Sequence, residues 1–336
     1  MRLIIFILLV ATGLYSKPEY GLSFPPVQDL LQVSLTTTHM DTLGVSTLRF
    51  SDNWKLREDT QGTYTWNPLL KRLVALRSAG KNVFLTLESD GPAWSCNLAK
   101  RNERSCAVRD TAQFRKFVSD WLDVVEPFVI GVQFGNEWQT SYWYAGTFAD
   151  FSVSSTIFNQ EAGIRGIPST LGGFSIGTVR FMTACGGGIS FYLDDNGNKL
   201  YNPKLAIACQ SPSNKKMING TDSVTKATIS PTIDIHLYGD VENWGKYVRY
   251  FKSKYPAKVL TVTEFGAVSA RYEPQGENYR TRKMKAILDT LKNQPIEKAL
   301  LFQLFENAES TSAFRSYLID SNLVISPSYQ IYKYYK

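Results

Sequence analysis

The stretch NPLLKRLVALRSAGKNVFLTL, residues 67–87, contains a helix followed directly by a strand. Asn67 is placed to cap the helix, Pro68 suits its first turn, and Gly80 suits the position just past its end. One helical face is apolar and consists of Leu69, Leu70, Leu73, Val74 and Leu76. The apolar run at residues 83–87 then predicts a strand that is buried on both sides, as in a parallel sheet.

The same unit of a helix followed by a strand recurs further along the chain. Asp110 is placed to cap a second helix, Pro127 to stop it, and residues 129–134 form the next apolar strand. Two later helices precede the strand candidates 259–265 and 299–305. The remaining strand candidates are residues 22–24, 47–50, 170–176 and 233–238. There are eight strand candidates in all, which is the number of strands in a TIM barrel, so we predict an α/β fold of the (β/α)8 type.

An open, doubly wound sheet is the alternative fold for this pattern. Its dinucleotide-binding form lacks support, because no G-x-G-x-x-G turn follows the first strand. Residues 185–228 do not have the hydrophobic periodicity of one continuous helix. The turn residues at 186–188 and 196–198 predict an inserted loop or hairpin between strands five and six. No repeat or linker divides residues 17–336, which we expect to form one domain.

The first residues are typical of an export signal. Arg2 supplies a positive charge, residues 3–14 form an apolar run, and Ser16 is a small residue at a suitable cleavage point. We therefore expect residues 1–16 to be a signal peptide and the mature chain to be secreted or periplasmic, with an uncleaved anchor as the alternative. No later segment is apolar over the length of a membrane span.

The four cysteines, at positions 96, 106, 185 and 209, predict disulfides. They have no CxxC spacing, so a zinc ribbon or a thioredoxin-like site is not supported. In an oxidising compartment, proximity favours pairing Cys96 with Cys106 and Cys185 with Cys209. Other connectivities, or free buried thiols, are the alternatives.

The charge is mildly basic, with 37 Lys and Arg against 30 Asp and Glu. These residues are mostly dispersed, which is typical of a solvated surface, so we expect no nucleic-acid partner; an acidic glycan or a membrane surface is the alternative. His39 and His236 are the sequence's only histidines, so we expect no histidine-based metal site and no cofactor. We expect a monomer.

Polar side chains occur where the predicted strands end, which is where a TIM barrel carries its active site. Strand four ends in Asn136 and Glu137, and strand seven in Glu264. A glutamate between apolar residues is costly to bury unless it is paired or functional. Two carboxyl groups can cleave a glycosidic bond, because one protonates the leaving oxygen while the other attacks the anomeric carbon.

Asn136-Glu137 on strand four, combined with Glu264 on strand seven, resembles the clan A retaining glycoside hydrolases, which include family 5 cellulases and mannanases. Residues 43–50, followed by Trp54 and residues 62–66, are similar to the strand-two region of families 5 and 39. The resemblance implies cleavage of a β-linked polysaccharide or oligosaccharide by double displacement, with Glu137 as general acid/base and Glu264 as nucleophile. The expected partner is a carbohydrate substrate.

The resemblance also implies roles for residues around the two glutamates. Asn136 would donate to the sugar 2-hydroxyl, Tyr238 would hydrogen-bond the nucleophile, and His236 would border the subsite of the glycosyl intermediate. Arg49 would stabilise the ionised Glu264. Trp94, Trp138 and Trp143 follow strands three and four, where aromatic faces can stack on sugars, and among them we expect Trp138 to bind substrate.

The chain departs from family 5 at two strand ends. Cellulases of that family typically have a histidine after strand three and a tryptophan at the tip of strand eight. Here these places hold Glu88-Ser89-Asp90 and Phe305-Glu306-Asn307. Glu88 and Glu306 are candidates for subsite residues, and loop salt bridges are the alternative explanation for them.

A second motif favours a different enzyme class. Residues 173–177, GFSIG, match the G-x-S-x-G turn of serine esterases, with Ser175 as the nucleophile and Asp234 and His236 downstream. That histidine should lie on a late loop, whereas His236 falls in an apolar strand, and the segment after Ser175 shows no clear helix. A serine esterase and a non-catalytic glycan-binding barrel remain as alternatives.

Overall fold

The computed structural model describes residues 17–193, 198–266, 276–306 and 317–336, so the predicted signal peptide lies outside the described residues. Its main sheet has eight barrel strands, numbered β1 to β8 along the chain: Glu19–Ser23, Thr47–Asn53, Asn82–Glu88, Val129–Asn136, Ser169–Phe174, Thr232–Ile235, Val259–Gly266 and Lys298–Leu301. A ninth strand of two residues, Leu237–Tyr238, follows β6 and also pairs in parallel with β7. Each strand pairs in parallel with the next, and β8 pairs with β1. The sheet therefore closes on itself, and the predicted (β/α)8 barrel is confirmed.

Helices follow the strands around the outside of the barrel. In chain order α1 to α11 are Leu30–Leu43, Trp54–Arg57, Asn67–Ser78, Thr111–Val125, Phe148–Ile164, Ile176–Cys185, Lys204–Gln210, Pro212–Ala227, Val241–Lys254, Gly276–Leu291 and Pro327–Tyr335. Short 3-10 turns cover Ala93–Ser95 and Glu126–Phe128. No helix among the described residues combines the length and the apolar character that crossing a membrane requires.

The unit formed by α3 and β3 is close to its prediction. α3 ends as expected, because Gly80 has a φ of +68° and the Lys81 N–H donates to the Leu76 carbonyl. Two details differ. Asn67 is the first residue of the helix rather than its cap. Val74 is 49% exposed, because the helix face that packs on the barrel is narrower than the face on which the sequence has apolar residues.

The segment between β5 and β6 is an insertion, as predicted. It contains a hairpin of Phe191–Leu193 with Lys199–Tyr201, preceded by α6 and followed by α7 and α8. A clear helix therefore does follow Ser175, contrary to expectation. Both predicted disulfides are confirmed: Cys185–Cys209 joins the end of α6 to α7, and Cys96–Cys106 lies in the hairpin after β3.

Strand β8 is shorter than its apolar run suggests. It ends at Leu301, whereas residues up to 305 were predicted to continue it. Beyond that point the chain pairs elsewhere, since the Leu304 carbonyl accepts hydrogen bonds from the backbone N–H groups of Leu318 and Ile319. Leu304 is still buried, so hydrophobicity alone does not mark the end of this strand.

Candidate active site

A cleft of about 930 Å³ lies where the barrel strands end. Its lining includes four residues singled out by the sequence: Asn136, Glu137, Tyr238 and Glu264. Aromatic and polar side chains line the rest, among them Phe24, Ser51, Asn53, Glu88, Asp90, Arg104, Tyr142, Trp143 and Phe302. The location is the one that the fold predicts for an active site.

Glu264 is held from both of its carboxylate oxygens. The guanidinium of Arg49 donates to Oε1 over 2.6 Å, and the Tyr238 hydroxyl donates to Oε2 over 2.7 Å. Arg49 is fully buried and Glu264 is nearly so. A charged pair at this depth is stable only when its hydrogen bonds are well formed, so the orientation of the Glu264 carboxylate is fixed.

Arg49 also orients Asn136. Its Nη2 donates to the Asn136 side-chain oxygen over 2.9 Å, while its face lies 4.6 Å from the centre of the Phe24 ring. Because the side-chain oxygen is engaged, Asn136 presents its NH2 group to the cleft that it lines. Arg49 thus positions residues of two strands, β4 and β7.

Glu137 sits on an unusual backbone. Its φ is +41°, a conformation that residues with a side chain rarely adopt, and Gly135, two residues earlier, has a φ of +75°. Strain of this kind clusters at functional sites, where surrounding structure maintains it. The Oε1 atom of Glu137 lies 2.9 Å from Nδ1 of His236.

The carboxylates of Glu137 and Glu264 approach each other closely. One oxygen of each, together with a ring nitrogen of His236, form a group whose members all lie within 4.8 Å of one another. Glycosidases that retain the anomeric configuration have carboxyl groups roughly 5 Å apart, whereas those that invert it need room for a water molecule between them. Two carboxylate oxygens within 4.8 Å of each other fit the retaining arrangement better than the inverting one.

His236 is completely buried between carboxylates. Its Nδ1 lies 3.3 Å from Glu264 Oε2, and its Nε2 lies 3.3 Å from Asp234 Oδ2. Burial alone would lower the pKa of His236, but the negative charges of Glu264 and Asp234 outweigh it and raise the pKa to about 10. At neutral pH the ring is therefore an imidazolium.

Those three side chains also have the donor types of a metal site. The guanidinium of Arg49 lies against Glu264 and already balances the negative charge of that carboxylate. This ion pair disfavours a second cation at the same carboxylate.

Beneath the cleft floor runs a chain of hydrogen bonds that the sequence did not reveal. Arg49 Nε donates to the Thr86 hydroxyl, which donates to Gln133, and Gln133 donates to Asp234 over 2.7 Å. Asp234 also accepts from the backbone N–H of Thr263. The sequence signal for these residues is a polar side chain inside an otherwise apolar strand.

The expectation that Trp138 binds substrate is wrong. Its ring is only 2% exposed, stacks on Phe151 at 4.3 Å and donates through Nε1 to the Gly172 carbonyl. Trp143 instead lines the cleft, with the guanidinium of Arg104 4.8 Å from its ring centre. Trp94 donates to the Asp59 carbonyl and packs edge-on against another indole.

Ser175 lines the cleft but lacks the surroundings of an esterase nucleophile. Its Oγ lies 3.0 Å from the Thr178 hydroxyl and caps α6, and its backbone φ of −56° is unstrained. His236, which would have to be its base, is engaged by Glu137 and Asp234. The geometry does not support the serine esterase alternative.

Gly173 leaves room for His236, which gives a first prediction. A Cβ added at Gly173 would lie 2.0 Å from His236 Nε2, so Gly173→Ala should displace the ring and lower stability by about 1–3 kcal/mol. Thermal unfolding followed by circular dichroism measures this. Gly163→Ala is the control, since its Cβ meets nothing within 4 Å on α5 and should stabilise the helix slightly. Equal unfolding temperatures for wild type and Gly173→Ala would contradict the described position of His236.

Comparison with known proteins supports the fold but gives no family by sequence. No protein-family model and no curated protein matches the chain. The exo-beta-1,4-mannosidase from Opitutaceae bacterium strain TAV5 superposes with a TM-score of 0.63 at 15% identity, covering 95% of this chain. This chain spans only 59% of that mannosidase.

Two further solved structures are similar over most of their length. The GH5_18 protein from Streptomyces cattleya, in complex with GlcNAc, has a TM-score of 0.66 at 13% identity and covers 95% of this chain and 79% of its own. A beta-glucosidase from Exiguobacterium marinum has a TM-score of 0.62 at 13% identity, with coverages of 90% and 86%. These likenesses show that the chain shares its barrel fold with these proteins.

Proposed function

We propose that this protein is a retaining β-glycosidase, with Glu137 as general acid/base and Glu264 as nucleophile. The observation that carries the proposal is the distance between the two carboxylates, which lie within 4.8 Å of each other on the floor of one cleft. Glu137 directly follows β4 and is hydrogen-bonded to His236, whereas Glu264 lies on β7 and is held by Arg49 and Tyr238. The His236 ring lies between the two carboxylates and is also 3.3 Å from Glu264.

In the first step the Glu264 carboxylate attacks the anomeric carbon of the bound sugar. The bond from that carbon to the glycosidic oxygen breaks, and Glu137 gives a proton to the departing oxygen. In the second step Glu137 takes a proton from a water molecule, which attacks the same carbon and releases Glu264. Two inversions give net retention of the anomeric configuration.

His236 orients Glu137 for both steps. Its Nδ1 lies 2.9 Å from Glu137 Oε1, so the ring holds that carboxyl group in place beside the bound sugar. Asn136, with its NH2 group turned toward the cleft, is placed to donate to a sugar hydroxyl beside the anomeric carbon. Arg49 keeps a positive charge against Glu264 while that residue is ionised.

The cleft and the structural neighbours support a β-linked sugar as the substrate class. The neighbours' names include an exo-beta-1,4-mannosidase and beta-glucosidases, and we extend their preference for β-linked sugars to this chain. The exposed ring of Tyr142 and the half-buried ring of Trp143 offer apolar surface for a sugar face. The two disulfides support action in an oxidising compartment outside the cytoplasm.

The proposal is tested by the stereochemistry of the first product. The mature protein is incubated with a panel of aryl β-glycosides (glucoside, mannoside, xyloside, galactoside), and proton NMR follows the anomeric signal. We expect the β-anomer to appear first and the α-anomer only later, by mutarotation. An α-anomer as first product would replace the retaining mechanism by an inverting one. Binding of β-linked oligosaccharides without any hydrolysis would favour the glycan-binding barrel.

A further inference from the structure

Glu88 is a carboxyl group in the cleft that the mechanism above does not use. It ends β3 and pairs in register with Asn53, which ends β2. Side chains alternate along a strand, so Glu88 points the same way as Thr86, whose hydroxyl receives a hydrogen bond from Arg49 inside the barrel. Glu88 thus lies one layer above the buried hydrogen-bond chain, and it lines the cleft with Asn53 and Ser51.

The environment of Glu88 is unusual for a carboxyl group. No salt bridge within the described ranges involves it, and its hydrogen-bond partner is the Ser51 hydroxyl. Burial raises the pKa of Glu88 to about 7, despite the opposing effect of Arg49 and with a further contribution from the charge of Glu264. A half-buried carboxyl group without a salt bridge has few groups to replace its lost hydration, and a ligand that donates hydrogen bonds would stabilise it.

Glu306 shows that this environment is not a general property of strand ends. It follows β8, and the backbone N–H of Ser321 donates to its carboxylate over 2.8 Å. It is not among the residues that line the cleft. Of the two strand-end glutamates that the sequence left open, only Glu88 faces the substrate space.

We propose that Glu88 is a specificity-determining residue that binds a ring hydroxyl of the sugar held by Glu264. The inference rests on the proposed function. Glu264 on β7 and Glu88 on β3 stand four strands apart in the closed sheet, so a sugar ring bound at its anomeric carbon by Glu264 extends across the barrel mouth toward Glu88. A carboxylate there accepts a hydrogen bond from a hydroxyl, and an analogue without that hydroxyl leaves the carboxylate unpaired.

The test is a double-mutant cycle between the enzyme and its substrate. Wild type and Glu88→Ala are assayed on an aryl β-glycoside that the wild type cleaves and on its 3-deoxy, 4-deoxy and 6-deoxy analogues. For the full sugar we expect Glu88→Ala to lower kcat/KM by about 10- to 100-fold. One of the deoxy analogues should lower kcat/KM of the wild type by a similar factor relative to the full sugar. On that analogue, kcat/KM of Glu88→Ala should differ from that of the wild type by less than about threefold.

A pH profile adds a readout that structural damage alone would not produce. The ionised carboxylate of Glu88 accepts the hydrogen bond from the sugar hydroxyl. Because the pKa of Glu88 is raised to about 7, kcat/KM of the wild type should rise as the pH increases through this value. Glu88→Gln keeps the shape but cannot ionise, so its profile should lack this step. Glu306→Gln is the matched control and should retain the step.

The outcomes separate the two proposals. Suppose that the wild type cleaves the parent glycosides, but that the loss of kcat/KM caused by Glu88→Ala is the same on every deoxy analogue as on the full sugar. The role proposed for Glu88 is then wrong and the glycosidase proposal stands. The same conclusion holds if the rise of kcat/KM near pH 7 persists in Glu88→Gln. If the wild type cleaves no β-glycoside, both fail together. Circular dichroism spectra that match the wild type show that a variant's loss is not due to unfolding.

Discussion

Glu264→Gln should lower kcat/KM on aryl β-glycosides by about 10⁴-fold or more, the scale seen when a covalent nucleophile is removed. The amide has nearly the size of the carboxylate, and its oxygen can still accept the hydrogen bond from Arg49. It cannot attack the anomeric carbon. The loss should therefore appear in kcat, and the binding of an uncleaved oligosaccharide should change much less. Rates of aryl release and calorimetric binding measure the two effects separately.

Glu264→Ala gives a second, independent readout. Removal of the side chain leaves space beside Arg49 and Tyr238, two hydrogen-bond donors that can hold a small anion. Added azide should restore part of the activity on an activated aryl β-glycoside, and the product should be the α-glycosyl azide, because only one inversion occurs. Recovery of a β-glycosyl azide, or no rescue at all, would count against Glu264 as nucleophile.

A matched control for both variants is Glu297→Gln, which makes the same change at the opposite end of the barrel. Glu297 precedes β8, is exposed and pairs with Lys298. Surface pairs of this kind contribute at most about 1 kcal/mol, so this variant should keep full activity. If Glu264→Gln retained more than a tenth of wild-type activity while Glu297→Gln retained all of it, the assignment of the nucleophile would be wrong.

The sequence predicts the barrel and the place of the site for one physical reason. Helix and strand have different periods of hydrophobicity, and parallel strands place their carboxyl ends on one rim. Glu137 on β4 and Glu264 on β7 could therefore be assigned to the same rim before any distance was known. The separation of their carboxylates depends on barrel closure and on the local backbone at Glu137, which no pattern encodes.

The orientation of the Trp138 side chain could not be predicted from the sequence. Its position after a strand is the same whether the ring faces the cleft or the core. The positive φ values of Gly135 and Glu137 turn the chain there, and the ring packs on Phe151 of α5. The buried chain of hydrogen bonds through Thr86 and Gln133 was not predicted for a related reason. Each is a single polar residue in its strand, and its hydrogen-bond partners come from other strands.

Glu137→Gln should have an effect that depends on the leaving group. General acid catalysis typically contributes about 10² to 10⁴-fold, and its contribution is largest when the departing oxygen is a poor leaving group. We expect a loss near the upper end of that range for an oligosaccharide and less than about tenfold, in the first step, for a dinitrophenyl glycoside. Pre-steady-state release of the dinitrophenol isolates this first step.

The second step should then limit Glu137→Gln on the activated substrate. Without a base to take a proton from water, the glycosyl-enzyme formed by Glu264 should accumulate, visible as a burst of dinitrophenol followed by slow turnover and as a mass increase of one sugar. His236 is not expected to replace the lost base, because its raised pKa keeps it protonated at neutral pH. An equal loss for good and poor leaving groups, with no burst, would mean that Glu137 positions the substrate rather than transferring the proton.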